Sequence, residues 1–349
     1  MTKTNAGNFF EDFRVGRVLH HATPRTLSEG DTALYQALFG SRFALQSSAE
    51  VARKAGYATA PIDDLLAFHI VFGKTVPDIS LNAVANLGYA DCKFLKPVFP
   101  GDTLSTESKV IGLKENSNGE TGTVYVRSTG RNQRGETVID YVRWVMVRKR
   151  DKAAPAPEAD VPHLPAIVDP SHLVAPARIS FKGFDTVASG SPHLWDDYEV
   201  GEKIDHVDGV TIEEAEHMMA TRLYQNTAKV HFNQFTEGKG RFGRRLIYGG
   251  HVISLARSLS FNGLGNAVLV AAINAGRHVA PCFAGDTVFA WSEVLAKSTL
   301  AGREDIGALR IRTIATKDRT CADFPGAKDK GYEDGVILDL DCWVLMPRR

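Results

Sequence analysis

Two polar residues five apart, Asn226 and His231, stand in the stretch Arg222-Leu-Tyr-Gln-Asn-Thr-Ala-Lys-Val-His-Phe232, and a glycine pair, Gly249-Gly250, follows about twenty residues later. An amide can hold and orient a water, and an imidazole that titrates near neutrality can take a proton and return it. A break between helix and loop after Asn226, with the chain extended through Val230 and Phe232, would turn both groups toward one pocket. Gly249-Gly250 opens an apolar helical pattern (Val252, Ile253, Leu255, Ala256, Leu259), and the free N–H groups of a helix start can hold a developing oxyanion. Those three functions are the ones needed for chemistry at a carbonyl. His231, Asn226 and Gly250 are therefore the candidate catalytic residues, with Gly249 and Tyr248 placed against the substrate.

A basic loop lies between the two halves of this constellation. Arg241, Arg244 and Arg245, spaced by glycines, suit a carboxylate or phosphate because guanidinium forks bind such groups bidentately. His69 and His251 sit inside apolar helical patterns and are read as packing residues. The four cysteines are scattered, with no paired spacing and no histidine at metal-ligand distance, so neither a disulfide framework nor a metal site is expected.

These residues are positioned by a chain written twice. Phe10-Glu-Asp-Phe-Arg-Val-Gly16 answers to Trp195-Asp-Asp-Tyr-Glu-Val-Gly201, Asn82-Ala-Val84 to Asn266-Ala-Val268, and Pro97-Val-Phe-Pro-Gly-Asp-Thr103 to Pro281-Cys-Phe-Ala-Gly-Asp-Thr287. An offset this long means duplicated domains rather than a solenoid. Residues 151–178 carry six prolines among alanines and acids and read as an extended linker. The expected organisation is a repeat at 1–150, the linker, and a second repeat at 179–349.

Each copy follows one plan. Helical patterns are predicted over 29–39 and 61–74 in the first, and over 212–223 and 249–261 in the second. About four strands follow in each, over 82–94, 102–113, 122–131 and 137–149, then over 267–278, 286–298, 306–317 and 335–346. The strand links are too short for helical crossovers, so the sheets are antiparallel and the class is α+β.

The 41 basic and 41 acidic residues cancel, which argues against a nucleic-acid or anionic-membrane partner. The N-terminus lacks the apolar core of a signal peptide, and no uncharged apolar run could span a bilayer. A cytoplasmic location is expected.

The stretches 223–232, 241–257 and 76–90, together with the close at 343–349, resemble MaoC-type double hotdog hydratases, and within that group the mesaconyl-CoA hydratases. The resemblance implies two repeats, each an antiparallel sheet wrapped around a long central helix. It further implies a hydro-lyase that reversibly hydrates mesaconyl-CoA to β-methylmalyl-CoA in the ethylmalonyl-CoA pathway. No metal or redox cofactor is implied, CoA being part of the substrate, and a homo-oligomer is a possible assembly. The wider family motif, Gly-Asp-x-Asn-Pro-aliphatic-His, is kept here only at His231. Asn226 replaces its aspartate, Gln225 its glycine, and Ala228-Lys229 its Asn-Pro. Neither register of the repeat leaves a histidine in the first copy, where Arg42 or Gln46 stands, and Asp63-Asp64 replaces Gly249-Gly250. One active site per chain is expected, on the second copy. The rival readings are an acyl-CoA thioesterase of the same fold and a non-catalytic acyl-CoA-binding protein.

Overall fold

The computed structural model describes residues 3–349; Met1 and Thr2, the first two residues of the N-terminal segment and of the first repeat, lie outside it. Five strands from each copy join in a single antiparallel sheet. The first five are β1 (Val18–Thr26), β2 (Ala83–Phe94), β3 (Thr103–Glu115), β4 (Thr121–Arg131) and β5 (Thr137–Arg148). From the second copy come β6 (Lys203–Thr211), β7 (Leu269–His278), β8 (Thr287–Leu300), β9 (Arg303–Lys317) and β10 (Val336–Pro347). Their order, β1-β3-β4-β5-β2-β7-β10-β9-β8-β6, reads the same from either edge once the two copies are exchanged. The halves meet where β2 pairs with β7, Tyr89 opposite Gly276 and Cys92 opposite Ile273.

The predicted strands are found within a few residues of their expected ends. β1 and β6, one more in each copy, were not predicted. Both are edge strands with mostly exposed residues and an interrupted register, and β1 contains Pro24. Edge strands lack the clean alternation of a half-buried strand, so no periodicity announces them.

Each half of the sheet wraps one long helix. The first central helix, Asp64–Thr75, is buried on every side from Leu65 onward, which fits its nearly unbroken apolar sequence. The second, Gly249–Leu259, ends two residues before its predicted stop, and Asn262 and Gly263 beyond it leave helical geometry. A single apolar core runs through both copies, joining Leu66, Phe68 and Phe72 to Ile253, Leu255 and Ala256. The halves therefore bury each other's surface.

The linker is tied to both. It forms a bridge to Leu113 through Asp160, where Gly112 leaves room that a Cβ, 2.5 Å from the Asp160 carbonyl oxygen, would not. Farther on, Val168 accepts a hydrogen bond from Trp343 Nε1 (3.1 Å) and donates to Asn274 Oδ1 (2.8 Å). Its prolines hold it extended along this path. The four cysteines are free and buried. Among the described residues no helix is long and apolar enough to cross a membrane, and no cluster of side chains could hold a metal ion.

Candidate active site

The helix Glu214–Leu223 ends in a tight reversal. Gln225 takes a left-handed backbone (φ 53°) and the Asn226 N–H donates back to Thr221 O at 2.9 Å. Asn226 is then buried, and its Oδ1 accepts from the Ala228 N–H at 3.1 Å, closing an Asx turn. That turn nucleates a short helix, Lys229–Phe232, so the chain through Val230 and Phe232 is helical and not extended as the sequence suggested. An Asx turn places its next residues at a helix start, which the spacing alone did not reveal.

His231 lies on this short helix. Its Nδ1 sits 3.0 Å from the Leu246 carbonyl oxygen. A carbonyl can only accept, so Nδ1 carries the proton and Nε2 is left with its lone pair. Burial pushes the imidazole down to about 4, a shift only partly opposed by the Leu246 carbonyl. His231 is thus a neutral base at pH 7 with a fixed tautomer.

The second central helix starts 5.4 Å away, measured from the His231 ring to that of its N-cap, Tyr248. The Tyr248 side chain makes no capping hydrogen bond, while its backbone N–H donates to His217 Nε2 at 2.9 Å. Both following residues must be glycine, because a Cβ on Gly249 would lie 2.7 Å from His278 Nδ1 and one on Gly250 would lie 2.5 Å from His69 Cε1. The His251 N–H donates to Tyr248 O at 2.8 Å, while the Gly249 and Gly250 N–H groups at the first two positions have no intrahelical acceptor.

Histidines crowd this helix start. His217 is pushed down to about 2, His69 and His251 to about 3 and His278 to about 4, in each case chiefly by burial. All are neutral at pH 7. His69, set aside as a packing residue, comes from the first copy and joins Ser254 of the second through Nε2 (3.1 Å), while the Tyr35 hydroxyl donates to the same Ser254 oxygen (2.9 Å). Tyr89 of the first copy lies 3.4 Å from His278 Nε2. His217, His278 and Tyr89 carry no spacing signal, because residues far apart in sequence supply them.

The first copy also braces the loop. Gly73 backs onto Tyr224, Lys74 donates to Gln225 Oε1, and Arg25 donates to Leu223 O. The structure thus brings His231, Asn226, Tyr248, Gly249 and Gly250 to one region with contributions from both copies.

The basic loop is less gathered. Arg245 pairs with Glu214 (3.2 Å), and its charge is felt by His217. Arg244 donates to Ala284 O (2.6 Å) and covers the Phe283 ring at 4.4 Å. Arg241 lies over its neighbour Phe242, which packs on Phe283. Of the three, Arg245 is tied most closely to the site.

The equivalent place in the first copy is filled by its own side chains. Asp63 caps its helix, Oδ1 accepting from the Leu65 N–H at 2.9 Å, and Asp64 Oδ2 accepts from the Val270 N–H at 2.9 Å. Burial, reinforced by Asp63, raises Asp64 to about 7. Gln46 donates to Val268 O (2.8 Å), and Arg42 lies over Phe261.

The comparisons with known proteins agree with this architecture. A family model described as mesaconyl-CoA hydratase matches residues 1–330. The chain is 66% identical to a β-methylmalyl-CoA dehydratase from Chloroflexus aurantiacus over 348 residues, 99% of each protein. It is 63% identical to a mesaconyl-CoA hydratase from Cereibacter sphaeroides over 346 residues, 99% of this chain and 100% of that one. A crystal structure of a MaoC domain dehydratase from Chloroflexus aurantiacus superposes over 100% of both chains, with a TM-score of 0.98 and 65% identity. A Mycobacterium tuberculosis protein with a double hotdog fold (TM-score 0.78, 24% identity, 98% and 99% coverage) shares the fold. A family model spanning nearly the whole chain, two full-length relatives and a matching fold lead to one assignment: the chain belongs to the mesaconyl-CoA hydratase family of MaoC-like double hotdog proteins.

Proposed function

We propose that this chain is a hydro-lyase that reversibly adds water to mesaconyl-CoA to give β-methylmalyl-CoA, the step of the ethylmalonyl-CoA pathway implied by its family. The observation that carries the chemistry is the tautomer of His231, which leaves an unprotonated Nε2 beside a helix start that lacks a side-chain cap. In the hydration direction His231 Nε2 removes a proton from water, and the hydroxyl bonds to the β-carbon. The electron pair of the double bond moves to the thioester oxygen, where the Gly250 N–H, with Gly249 beside it, holds the enolate. The proton on Nε2 then goes to the α-carbon and the base is restored.

Asn226 has a defined part in this scheme. Its Oδ1 is engaged by the Ala228 N–H, so Nδ2 is the group left to donate to the water oxygen. A neutral amide cannot take the proton, and His231 handles both transfers. Tyr248 packs against the acyl group, and Arg241, Arg244 and Arg245 attract the anionic CoA. The scheme uses protein groups alone, without a metal or redox cofactor. Four buried free thiols suit a cytoplasmic setting. A thioesterase reading is weaker because the acidic pair Asp63-Asp64 is engaged in capping and in holding β7, at the other copy's helix.

Incubation with mesaconyl-CoA and mass analysis tests the reading. A gain of one water that is lost in His231→Ala, with acyl-CoA affinity kept, is the expected result. Release of free CoA thiol and the unsaturated diacid, with no water added to the double bond, would instead assign a thioesterase, and binding without turnover a non-catalytic protein.

A further inference from the structure

Arg143 lies on β5 and is completely buried. Its guanidinium covers the Phe72 ring at 4.3 Å and donates to Thr75 Oγ1 (2.7 Å), Ser80 Oγ (2.9 Å) and Asn86 Oδ1 (3.4 Å). Among the described residues no aspartate or glutamate pairs with it; the ionisable groups that act on it are Tyr141, Tyr89 and Tyr248. Burying a cation without an anion is among the least favourable arrangements a fold can keep. The neighbourhood also has donors to spare, since Arg143 Nε and Asn86 Nδ2 are buried without acceptors. Two hydroxyls and a carbonyl oxygen hold the arginine in place, and unpaired N–H groups remain.

Two packed rings connect the position to His231. Phe72, beneath the guanidinium, packs 5.7 Å from Tyr248, and Tyr248 packs 5.4 Å from His231. The duplication supplies a control within the same molecule. Arg143 stands opposite Tyr89 just before Trp144, as Cys342 stands opposite Ile273 just before Trp343, so Cys342 is its counterpart in the second copy. Around Cys342 the buried cation is Arg257, on the second central helix; like Arg143 it keeps a buried N–H without an acceptor, but the charges of Asp63 and Asp64 act on it. Carboxylates stand near the cation there, and none acts on Arg143.

The geometry points to Arg143, aided by Asn86, as the anchor for the free carboxylate of the acyl group. This assignment rests on the proposed substrate, in which that carboxylate is borne by the carbon that takes the hydroxyl. It would fix the β-carbon from the first copy while His231 and Gly250 act from the second. The arginines of the 241–245 loop are then left for the phosphates of CoA.

Equilibrium binding of two acyl-CoAs that cannot take up water tests this. Methylsuccinyl-CoA carries the carboxylate, and 2-methylbutyryl-CoA has a methyl group in its place. The wild type is expected to prefer the first by about 100-fold, as for a buried charge pair. Arg143→Met should bring the ratio close to one, and Arg143→Lys, which keeps charge but not the fork, should leave it between. Arg245→Ala should weaken both ligands alike. A wild-type ratio near one, an unchanged ratio in a folded Arg143→Met or Arg143→Lys protein, or a ratio that collapses in Arg245→Ala would each overturn the assignment; the wild-type and Arg245→Ala measurements decide even if the Arg143 variants do not fold. Hydration of mesaconyl-CoA by the wild type is scored separately, so a missing reaction with an intact ratio would reject the function and keep the carboxylate site.

Discussion

Gly73→Ala should damage catalysis from the copy that holds neither His231 nor Asn226. A Cβ on Gly73 would lie 3.0 Å from the Tyr224 carbonyl carbon, 3.4 Å from the Asn226 nitrogen and well inside contact distance of the Tyr224 oxygen. Restoring an ordinary contact with that oxygen needs a displacement of over about 1 Å, large for a close-packed interior. The first central helix cannot supply it, being buried on all sides from Leu65 to Thr75. The loop yields instead, and it carries Asn226 and, through the Asx turn, the short helix of His231. A misplacement of about 1 Å at reacting groups can cost about 100-fold in rate.

Stability should change much less. Overpacking costs about 1–3 kcal/mol, and alanine is the better helix former by about 1 kcal/mol. The expected phenotype is a folded protein with kcat for mesaconyl-CoA hydration reduced about 100-fold. Enoyl absorbance gives the rate, and urea unfolding gives the stability. Gly30→Ala, at an exposed position in the first turn of a helix where the nearest atom to the new Cβ is the Ser28 hydroxyl at 3.4 Å, is the control. A Gly73→Ala enzyme within threefold of wild type would refute the view that the first copy positions the loop.

Asp63→Ala should lower stability by about 1–2 kcal/mol through loss of the helix cap, and leave hydration at wild-type rates; a large loss of kcat in a stable variant would mean that the first copy's helix start takes part in the chemistry. Stability should also fall in mild acid. Six histidines, His69, His206, His217, His231, His251 and His278, are depressed by burial from 6.5 to between about 2 and about 4. Below pH 6.5 the unfolded chain therefore binds protons that the folded chain refuses, and each such histidine removes up to about 1.4 kcal/mol per pH unit between its unfolded and folded values. Asp64, raised to about 7, works the other way over the same window. Urea midpoints at pH 7, 6 and 5 should drop progressively, and a flat profile to pH 5 would contradict the lowered titration of these rings.

What could be read in the sequence is what is encoded locally. The Gly-Asp turns at Gly101-Asp102 and Gly285-Asp286 mark the strand starts at Thr103 and Thr287, and the apolar patterns gave both central helices, with ends off by up to three residues. The motif spacing likewise placed His231 and Gly250 in one region. The Lys229–Phe232 helix escaped because a side-chain bond from Asn226 decides it. The ring of histidines escaped for a different reason: His69 and His278 are brought to Gly250 and Gly249 by packing between elements far apart in the chain. Gly73 and Arg143 sit in unremarkable stretches of helix and strand, and their meaning lies in what stands opposite them.

The two helix starts, glycine in one copy and aspartate in the other, differ in what they leave free, and the proposed reaction uses that difference to work on one side only. Each helix start meets the other copy: Asp64 accepts from the Val270 N–H of the second, and Gly250 packs against His69 of the first. At the second copy's helix start the glycines leave backbone N–H groups uncapped by a side chain, and the first copy's sheet carries Arg143 without a carboxylate. At the first copy's helix start Asp63 occupies the Leu65 N–H, and its charge and that of Asp64 act on Arg257 from the second copy. A capped helix start cannot also hold an enolate oxygen, and a cation with carboxylates near it has less to offer a substrate anion. The acids at 63 and 64 thus engage donors of one helix start and of β7, while the other helix start keeps uncompensated donors, which the proposed reaction assigns to the ligand.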